Sequence, residues 1–124
     1  MLRLGIIVLG AEDVERAVAF WSEALGYSVT RHPGSENDFT ELVPPSGEGV
    51  SLGVQRSATP AGSHPRTHLD LAVDSPAEQQ AETDRLVGLG ASLADWDSYP
   101  ADPDFVVLAD TEGNFFCIVD DSHD

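Results

Sequence analysis

Lysine is absent from this sequence, cysteine occurs once, and no long hydrophobic run is present. Its 124 residues include six arginines and 22 acidic residues, for a formal net charge of −16 at pH 7. A chain this acidic repels phosphate backbones, so nucleic acid is not an expected partner. The charge indicates solubility or life in high salt, and the alternative is that it attracts a cationic small molecule.

The single cysteine, Cys117, cannot form an internal disulfide, and this excludes a cysteine-rich zinc module. No apolar stretch approaches the roughly 18 residues that span a membrane. The apolar run LGIIVLG is soon followed by Glu12 and Asp13, and it lacks the longer core and cleavage site of a signal peptide. We therefore expect a cytoplasmic protein that does not bind membranes.

The first half of the chain predicts one helix among four strands. Residues 2–9 are typical of a short buried strand. Apolar residues then follow helical spacing over 13–25, where Asp13 can cap the helix and Gly26 can end it. The remaining apolar segments, separated by turn-rich pieces, predict strands near 27–31, 39–43 and 50–55.

The same order of elements returns after residues 56–65, which have no periodic apolar pattern. Residues 67–73 predict a strand, and Ser75-Pro76 is typical of the start of a helix that continues to about Leu89. Further strands are predicted near 91–95, 104–109 and 115–119. The sequence therefore predicts an α+β fold in which one strand–helix–three-strand unit, βαβββ, occurs twice.

Four stretches, LGIIVL…ED, VERAVAFWSEALGY, RTHLDLAV and VVLADTEGNFFCIV, resemble the vicinal oxygen chelate superfamily. This superfamily includes glyoxalase I, bleomycin resistance proteins and extradiol dioxygenases, and the chain is most similar to small glyoxalase-like members of high-GC, actinobacterial type. The resemblance implies a single domain, 1–124, that usually forms a homodimer. It also implies a concave pocket with the helices outside. The implied boundaries are module one at about 1–56, a linker at 57–65, module two at about 66–120, and an acidic tail at 121–124.

Strand alternation predicts which side chains face the pocket. On the first strand of module two these are His68, Asp70 and Ala72. Phe115, Cys117 and Val119 share the corresponding face of the last strand. In module one the inward-facing set is predicted to be Ile6, Val8, Ser51, Gly53 and Gln55.

The resemblance also implies where a metal would be held, on the first and last strands of each module. In module one these positions correspond to Ile6 and to Ser51 or Gly53, none of which is a good ligand. In module two they correspond to His68 and Cys117. Two ligands fall short of the three or four that a catalytic metal site generally has, although Asp70 or Gln55 could approach. We predict no metal and no cofactor.

The segment DWDSYPADPDF, residues 95–105, is predicted to form part of a ligand site because it places Trp96, Tyr99 and Phe105 on a loop. The alternative is that these rings cover the core edge or a dimer contact. Gly113-Asn114 is most simply a turn before a strand. Three histidines are predicted to be solvated, namely His32, His64 and His123.

Two functions remain open at this point. The first is a small-molecule-binding protein of the bleomycin resistance type, which sequesters an antibiotic or a hydrophobic or cationic metabolite. The second is a lyase, isomerase or dioxygenase-like enzyme that uses a metal or His68/Asp70 acid–base chemistry, and no catalytic residue is assigned. The residues predicted to bind the ligand are Gln55, His68, Asp70, Trp96, Tyr99, Phe105, Phe115 and Cys117.

Overall fold

The computed structural model of the chain describes residues 1–31 and 38–123. The chain divides into two compact units, Met1–Ala61 and Gly62–Asp124, which we call module one and module two. His32 lies outside the described residues. Within these residues, no helix is long and apolar enough to cross a membrane.

Module one is a four-stranded mixed sheet with one helix. Its elements are β1 (Ile6–Ala11), α1 (Val14–Leu25), β2 (Ser28–Arg31), β3 (Phe39–Val43) and β4 (Ser51–Arg56). The strand order is β1-β4-β3-β2, in which β1 and β4 are parallel and the other neighbours are antiparallel. The first strand begins at Ile6 rather than at residue 2, because its partner β4 begins only at Ser51.

Helix α1 forms where its capping residues predict. The Asp13 side chain accepts a hydrogen bond from the Arg16 backbone N–H at 3.1 Å, and Gly26 adopts the left-handed conformation, φ 69°, that ends the helix. The buried face of α1 includes Phe20 and Trp21, whose rings meet edge to face at 5.1 Å. This face packs on β3 and β4, where the most buried side chains are Thr40, Leu42, Leu52 and Val54.

Module two repeats the plan with β5 (Leu69–Val73), α2 (Pro76–Gly88), β6 (Ser92–Leu93), β7 (Phe105–Ala109) and β8 (Phe115–Asp120). Its sheet has the order β5-β8-β7-β6, again with the first and last strands parallel. The predicted α+β fold of two βαβββ modules is confirmed. Strand β6 is shorter than expected, because the chain leaves the sheet at Ala94, whose N–H still donates to the Val107 carbonyl at 3.0 Å.

The parallel strand pairs give an internal alignment of the two modules. Val8 of β1 lies opposite Gly53 of β4, and Asp70 of β5 lies opposite Cys117 of β8. The helix-capping residues support the match, since Asp13 and Ser75 follow Val8 and Asp70 at the same spacing. The sheet face away from the helix, here called the open face, therefore carries equivalent positions in the two modules: Ile6 and His68, Val8 and Asp70, Gly53 and Cys117.

Candidate functional site

A cavity of about 340 Å³ lies on the open face of module two. Four aromatic residues contribute to its lining, namely Trp96, Phe105, Phe115 and the almost fully buried Phe116. Aliphatic contacts come from Pro65, Val107 and Val119. The remaining lining residues are His68, Asp70, Asp104 and Cys117. The cavity is therefore mainly apolar, and most of its polar side chains lie at strands β5 and β8.

Strand pairing explains why three of these polar groups meet. Asp70 and Cys117 are directly opposite each other on parallel strands, so their side chains leave the same face. His68, two residues before Asp70, projects from that face as well, and its Nε2 lies 3.1 Å from Asp70 Oδ1. One donor atom from each of His68, Asp70 and Cys117 lies within 4.8 Å of the others.

Cys117 is not an activated nucleophile in this arrangement. Burial, together with the negative charge of Asp70 and a hydrogen bond to it, raises the pKa of the Cys117 thiol to about 11. The neutral thiol therefore predominates near pH 7, where it donates its proton toward the Asp70 carboxylate. The side chains of His68 and Asp70 remain 46% and 57% exposed, so a ligand in the cavity can reach both of them.

The DTEGN stretch before β8 is a turn built around one carboxylate. Asp110 is 5% exposed, and its Oδ1 accepts hydrogen bonds from the backbone N–H groups of Glu112 and Asn114, both at 2.9 Å. Gly113 supplies the positive φ, 87°, that this turn needs. The predicted turn is thus observed, and it sets the start of β8 that brings Phe115 and Cys117 to the cavity.

The loop between β6 and β7 supplies one aromatic wall. The Trp96 ring meets Phe115 edge to face, with 6.3 Å between ring centroids, and its other neighbour is the His64 imidazole at 5.3 Å. Trp96 Nε1 is buried and makes no hydrogen bond. Such an unpaired donor is costly to bury, so it reduces the stability that this ring contributes.

Six of the eight residues that the sequence selects for ligand binding line the cavity, and two do not. Tyr99 stacks on Phe105 at 5.3 Å, and its hydroxyl oxygen accepts the Val107 backbone N–H at 2.7 Å, so it fastens the loop to β7. Gln55 belongs to module one, where its side chain is exposed on β4.

Residues 6–119 match the glyoxalase-like domain family. The chain belongs to this family. None of the curated protein sequences is significantly similar to it.

Solved structures of glyoxalase-like proteins share the fold at low sequence identity. A glyoxalase-related enzyme from Fulvimarina pelagi superposes with a TM-score of 0.71 at 18% identity, over 98% of this chain and 89% of that one. The protein ATC0852 from Agrobacterium tumefaciens gives 0.73 at 14% identity, over 97% and 98%. The fosfomycin resistance protein FosX from Listeria monocytogenes gives 0.70 at 15% identity, over 96% and 90%. Identities this low show a common fold, and the fold alone does not indicate the ligand.

The metal positions implied by the vicinal oxygen chelate resemblance do not fit this glyoxalase-like chain. Strand register resolves the alternative left open between Ser51 and Gly53, because Gly53 is the residue that matches Cys117. Ile6 and Gly53 offer no donor atom, so the module-one positions cannot hold a metal. In module two, Asp70 is the residue of the two candidates, Asp70 and Gln55, that lies beside His68 and Cys117.

Sequence reasoning missed one structural residue beside the site, Gln79, and the contacts of two histidines. Gln79 on α2 donates from its side-chain amide to the carbonyls of Asp104 and Ile118, at 3.0 and 2.9 Å, and so joins the helix to both strands beside the cavity. His64 is exposed, as predicted, although its Nε2 lies 3.5 Å from Asp97, whereas His123 is only 26% exposed and lies 3.1 Å from Asp102. The only sequence signal was their acidic surroundings.

Proposed function

We propose that this protein binds a small, aromatic, cationic molecule in the module-two cavity and sequesters it without chemical change. The observation that carries the proposal is a cavity lined by the aromatic residues Trp96, Phe105 and Phe115, at which the Asp70 carboxylate is 57% exposed. Ligand pockets are generally apolar with a few placed polar groups, and a volume of about 340 Å³ is at the lower end of their range.

Charge supports a cationic ligand. Aromatic faces attract cations, and a carboxylate at the same wall adds a direct ion pair. The net charge of −16 adds a negative long-range field, which concentrates cations near the protein surface. An antibiotic or a cationic metabolite meets this description.

A homodimer, implied by the family resemblance, is part of the proposal, and native mass spectrometry of tag-free protein tests it.

Calorimetric melting of metal-free protein with cationic polycyclic antibiotics, each beside a neutral polycyclic compound of similar size, tests the proposal. A ligand that binds only the folded state at a hundredfold excess over its Kd raises the Tm by on the order of 10 °C. We expect this from at least one cation and a smaller rise from its neutral counterpart. If no compound raises the Tm, the binding proposal is wrong.

Two substitutions locate the site. Asp70→Asn removes the charge while keeping the shape, and we expect the cation to bind about tenfold more weakly, a change of about 1.4 kcal/mol. Trp96→Ala removes an aromatic wall and should weaken cationic and neutral compounds alike. Val8→Thr, at the module-one position equivalent to Asp70, is the matched control and should leave affinity unchanged. Equal affinity in all three variants would place the ligand elsewhere.

A second candidate function rests on the His68–Asp70 pair. An imidazole held 3.1 Å from a carboxylate and accessible from a cavity is an arrangement used for general acid–base catalysis. An enzyme of this type would convert a compound found in the melting screen, and conversion would be lost in His68→Ala. Recovery of every bound compound unchanged after prolonged incubation argues for sequestration alone.

A further inference from the structure

A groove of about 620 Å³ lies between α2 and the strands β6 and β7, and we call it the α2 groove. Its apolar lining residues are Val87, Ala91, Leu93 and Val106, of which Val87 and Leu93 are 43% and 64% exposed. Val106 points to the helix side of the sheet, because its neighbour Val107 lines the open-face cavity. No described residue lines both the groove and that cavity, so the two are separate.

The internal alignment of the modules explains why this groove is open. Thr83, a lining residue, lies at the same distance from the capping residue of α2 as Trp21 lies from that of α1. Ala91 immediately precedes β6, as Tyr27 immediately precedes β2. Module two therefore has small side chains at two positions where module one has aromatic ones.

Both aromatic side chains of module one make internal contacts. Trp21 is 1% exposed, and the Tyr27 hydroxyl donates a hydrogen bond to the Val50 carbonyl at 3.2 Å. Helix α1 packs on β3 and β4, whereas α2 packs mainly on β8. An apolar cavity of about 150 Å³ already binds benzene, so the larger α2 groove accommodates a bicyclic ring system.

One carboxylate lies at this groove. Asp84 is an exposed lining residue of α2, and its Oδ1 accepts a hydrogen bond from Gln80 Nε2 at 2.9 Å. No lysine, arginine or histidine is among the described residues that line the groove. The groove therefore favours a ring system that carries a positive charge, and the net charge of −16 disfavours an anion.

We propose that the α2 groove is a second ligand site, which binds a bicyclic aromatic amine. The rings lie between α2 and β7, and the ammonium group lies at Asp84. Ring burial supplies most of the affinity, because an ion pair at an exposed carboxylate contributes little. This site goes beyond the proposed function, since the groove and the open-face cavity lie on opposite sides of the sheet.

Tryptamine is the probe, because it joins an indole ring, which module one places at this helix position, to a primary ammonium group. It is titrated into isotope-labelled full-length protein while NMR spectra record the backbone amides. We expect saturable shifts at Thr83, Val87, Leu93 and Val106, with a Kd of about 1 mM or lower, which is within reach of a ligand of this size.

Two variants locate the rings. Thr83→Trp places the side chain of module one in the groove and should remove tryptamine binding. Leu93→Ser takes apolar area from an exposed position, so it leaves the fold intact, and it should weaken tryptamine binding about threefold or more. Val29→Ser, at the equivalent position of β2, is the control and should leave the affinity unchanged.

Asp84→Asn tests the charge. Skatole, a neutral methylated indole, should bind the parent protein about two- to threefold more weakly than tryptamine, because it cannot pair with Asp84. Asp84→Asn should remove this difference and leave skatole affinity unchanged. Asp95→Asn, which removes the same charge from an exposed loop, is the control and should preserve the difference.

Two results would overturn this proposal. One is the absence of saturable shifts at the groove residues, including the case in which tryptamine shifts only residues around Asp70 and Cys117. The other is unchanged affinity in Leu93→Ser, which decides the matter even if Thr83→Trp does not fold. Shifts confined to the open face would support the proposed function while removing the second site, so the two proposals fail separately.

Discussion

The two modules have the same strand order, but the side chains on their open faces differ in chemistry. In module one the positions equivalent to His68, Asp70 and Cys117 are Ile6, Val8 and Gly53, so no donor atom remains. Ile6 and Val8 are 36% and 44% exposed on this face. The same βαβββ plan thus carries an apolar open face in module one and an open face with hydrogen-bonding groups in module two.

One residue pair shows how the faces diverge. Phe39 and Phe105 occupy equivalent positions, opposite Gln55 and Val119. In module one the Phe39 ring lies over Gly53, where an added Cβ would be 3.0 Å from Phe39 Cε2. In module two the equivalent residue is Cys117, and Phe105 stacks on Tyr99. Gly53 on β4 leaves room for the Phe39 ring to cover the sheet. Cys117, the equivalent residue on β8, has a side chain, and there the open face keeps a cavity.

The tryptophans give the largest expected difference between the modules. Trp21 is 1% exposed in the core of module one, whereas Trp96 is a partly exposed wall of the module-two cavity. Trp21→Ala should lower the free energy of unfolding by about 3–5 kcal/mol, because it leaves a large cavity in a packed core. Trp96→Ala should cost less than half of that. Urea unfolding measures both, and equal losses would mean that Trp96 belongs to the core.

Asp110→Ala should weaken the turn before β8, which is built around the Asp110 carboxylate. The backbone N–H groups of Glu112 and Asn114 lose the carboxylate as acceptor, which predicts a loss of about 2–3 kcal/mol in the free energy of unfolding. Both turns have an equivalent backbone bond, from Gly47 N–H to the Pro44 carbonyl in module one and from Gly113 N–H to the Asp110 carbonyl in module two, at 3.0 and 3.1 Å. The module-one turn has a hydroxyl, Ser46 Oγ, as its side-chain acceptor instead of a buried carboxylate. Asp95→Ala, which removes the same charge from an exposed loop, is the control, and a similar loss there would point to charge rather than to the turn.

The sequence predicts the fold well because its strongest signals are local. Asp13, Gly26 and Ser75-Pro76 mark the helices, and their capping contacts form as expected. Pocket-facing positions on β5 and β8 follow from the period of two in a strand.

Features that depend on contacts between distant residues could not be predicted from the sequence. The approach of Asp70 to Cys117 depends on the register of two strands far apart in the chain. An aromatic residue on a loop predicts that Tyr99 lines the ligand site, yet its hydroxyl accepts a hydrogen bond from the Val107 backbone N–H of β7. The spacing of apolar residues does not predict such contacts, because they depend on which distant residue lies beside the side chain in the fold.

Gly53→Ala tests whether the missing side chain at Gly53 is what lets Phe39 cover the open face of module one. The new methyl group forces the Phe39 and Ile6 side chains to move, at a cost of about 1–3 kcal/mol, and a gain of roughly 0.5–1 kcal/mol in backbone entropy offsets part of it. We expect a net loss of about 1 kcal/mol, and NMR shifts of the Phe39 ring should report its movement. Gly5→Ala, where nothing lies within 4 Å of an added Cβ, should leave the Phe39 signals unchanged. An unmoved ring in Gly53→Ala contradicts this explanation.

The smallest expected effect concerns the loop beside the cavity, which has eleven residues between β6 and β7 against seven between β2 and β3. Its Asp102 accepts a hydrogen bond from His123, and this contact raises the pKa of His123 above its usual value. Because protonation is favoured in the folded state, the contact stabilises the protein fully below about pH 6.5, the usual histidine pKa. That stabilisation is lost as the pH rises through the higher pKa of the folded protein. An NMR titration of the imidazole should show the raised pKa in the parent protein and a value nearer the usual one in Asp102→Asn. A titration curve that Asp102→Asn does not move would mean that the contact does not hold the loop in solution.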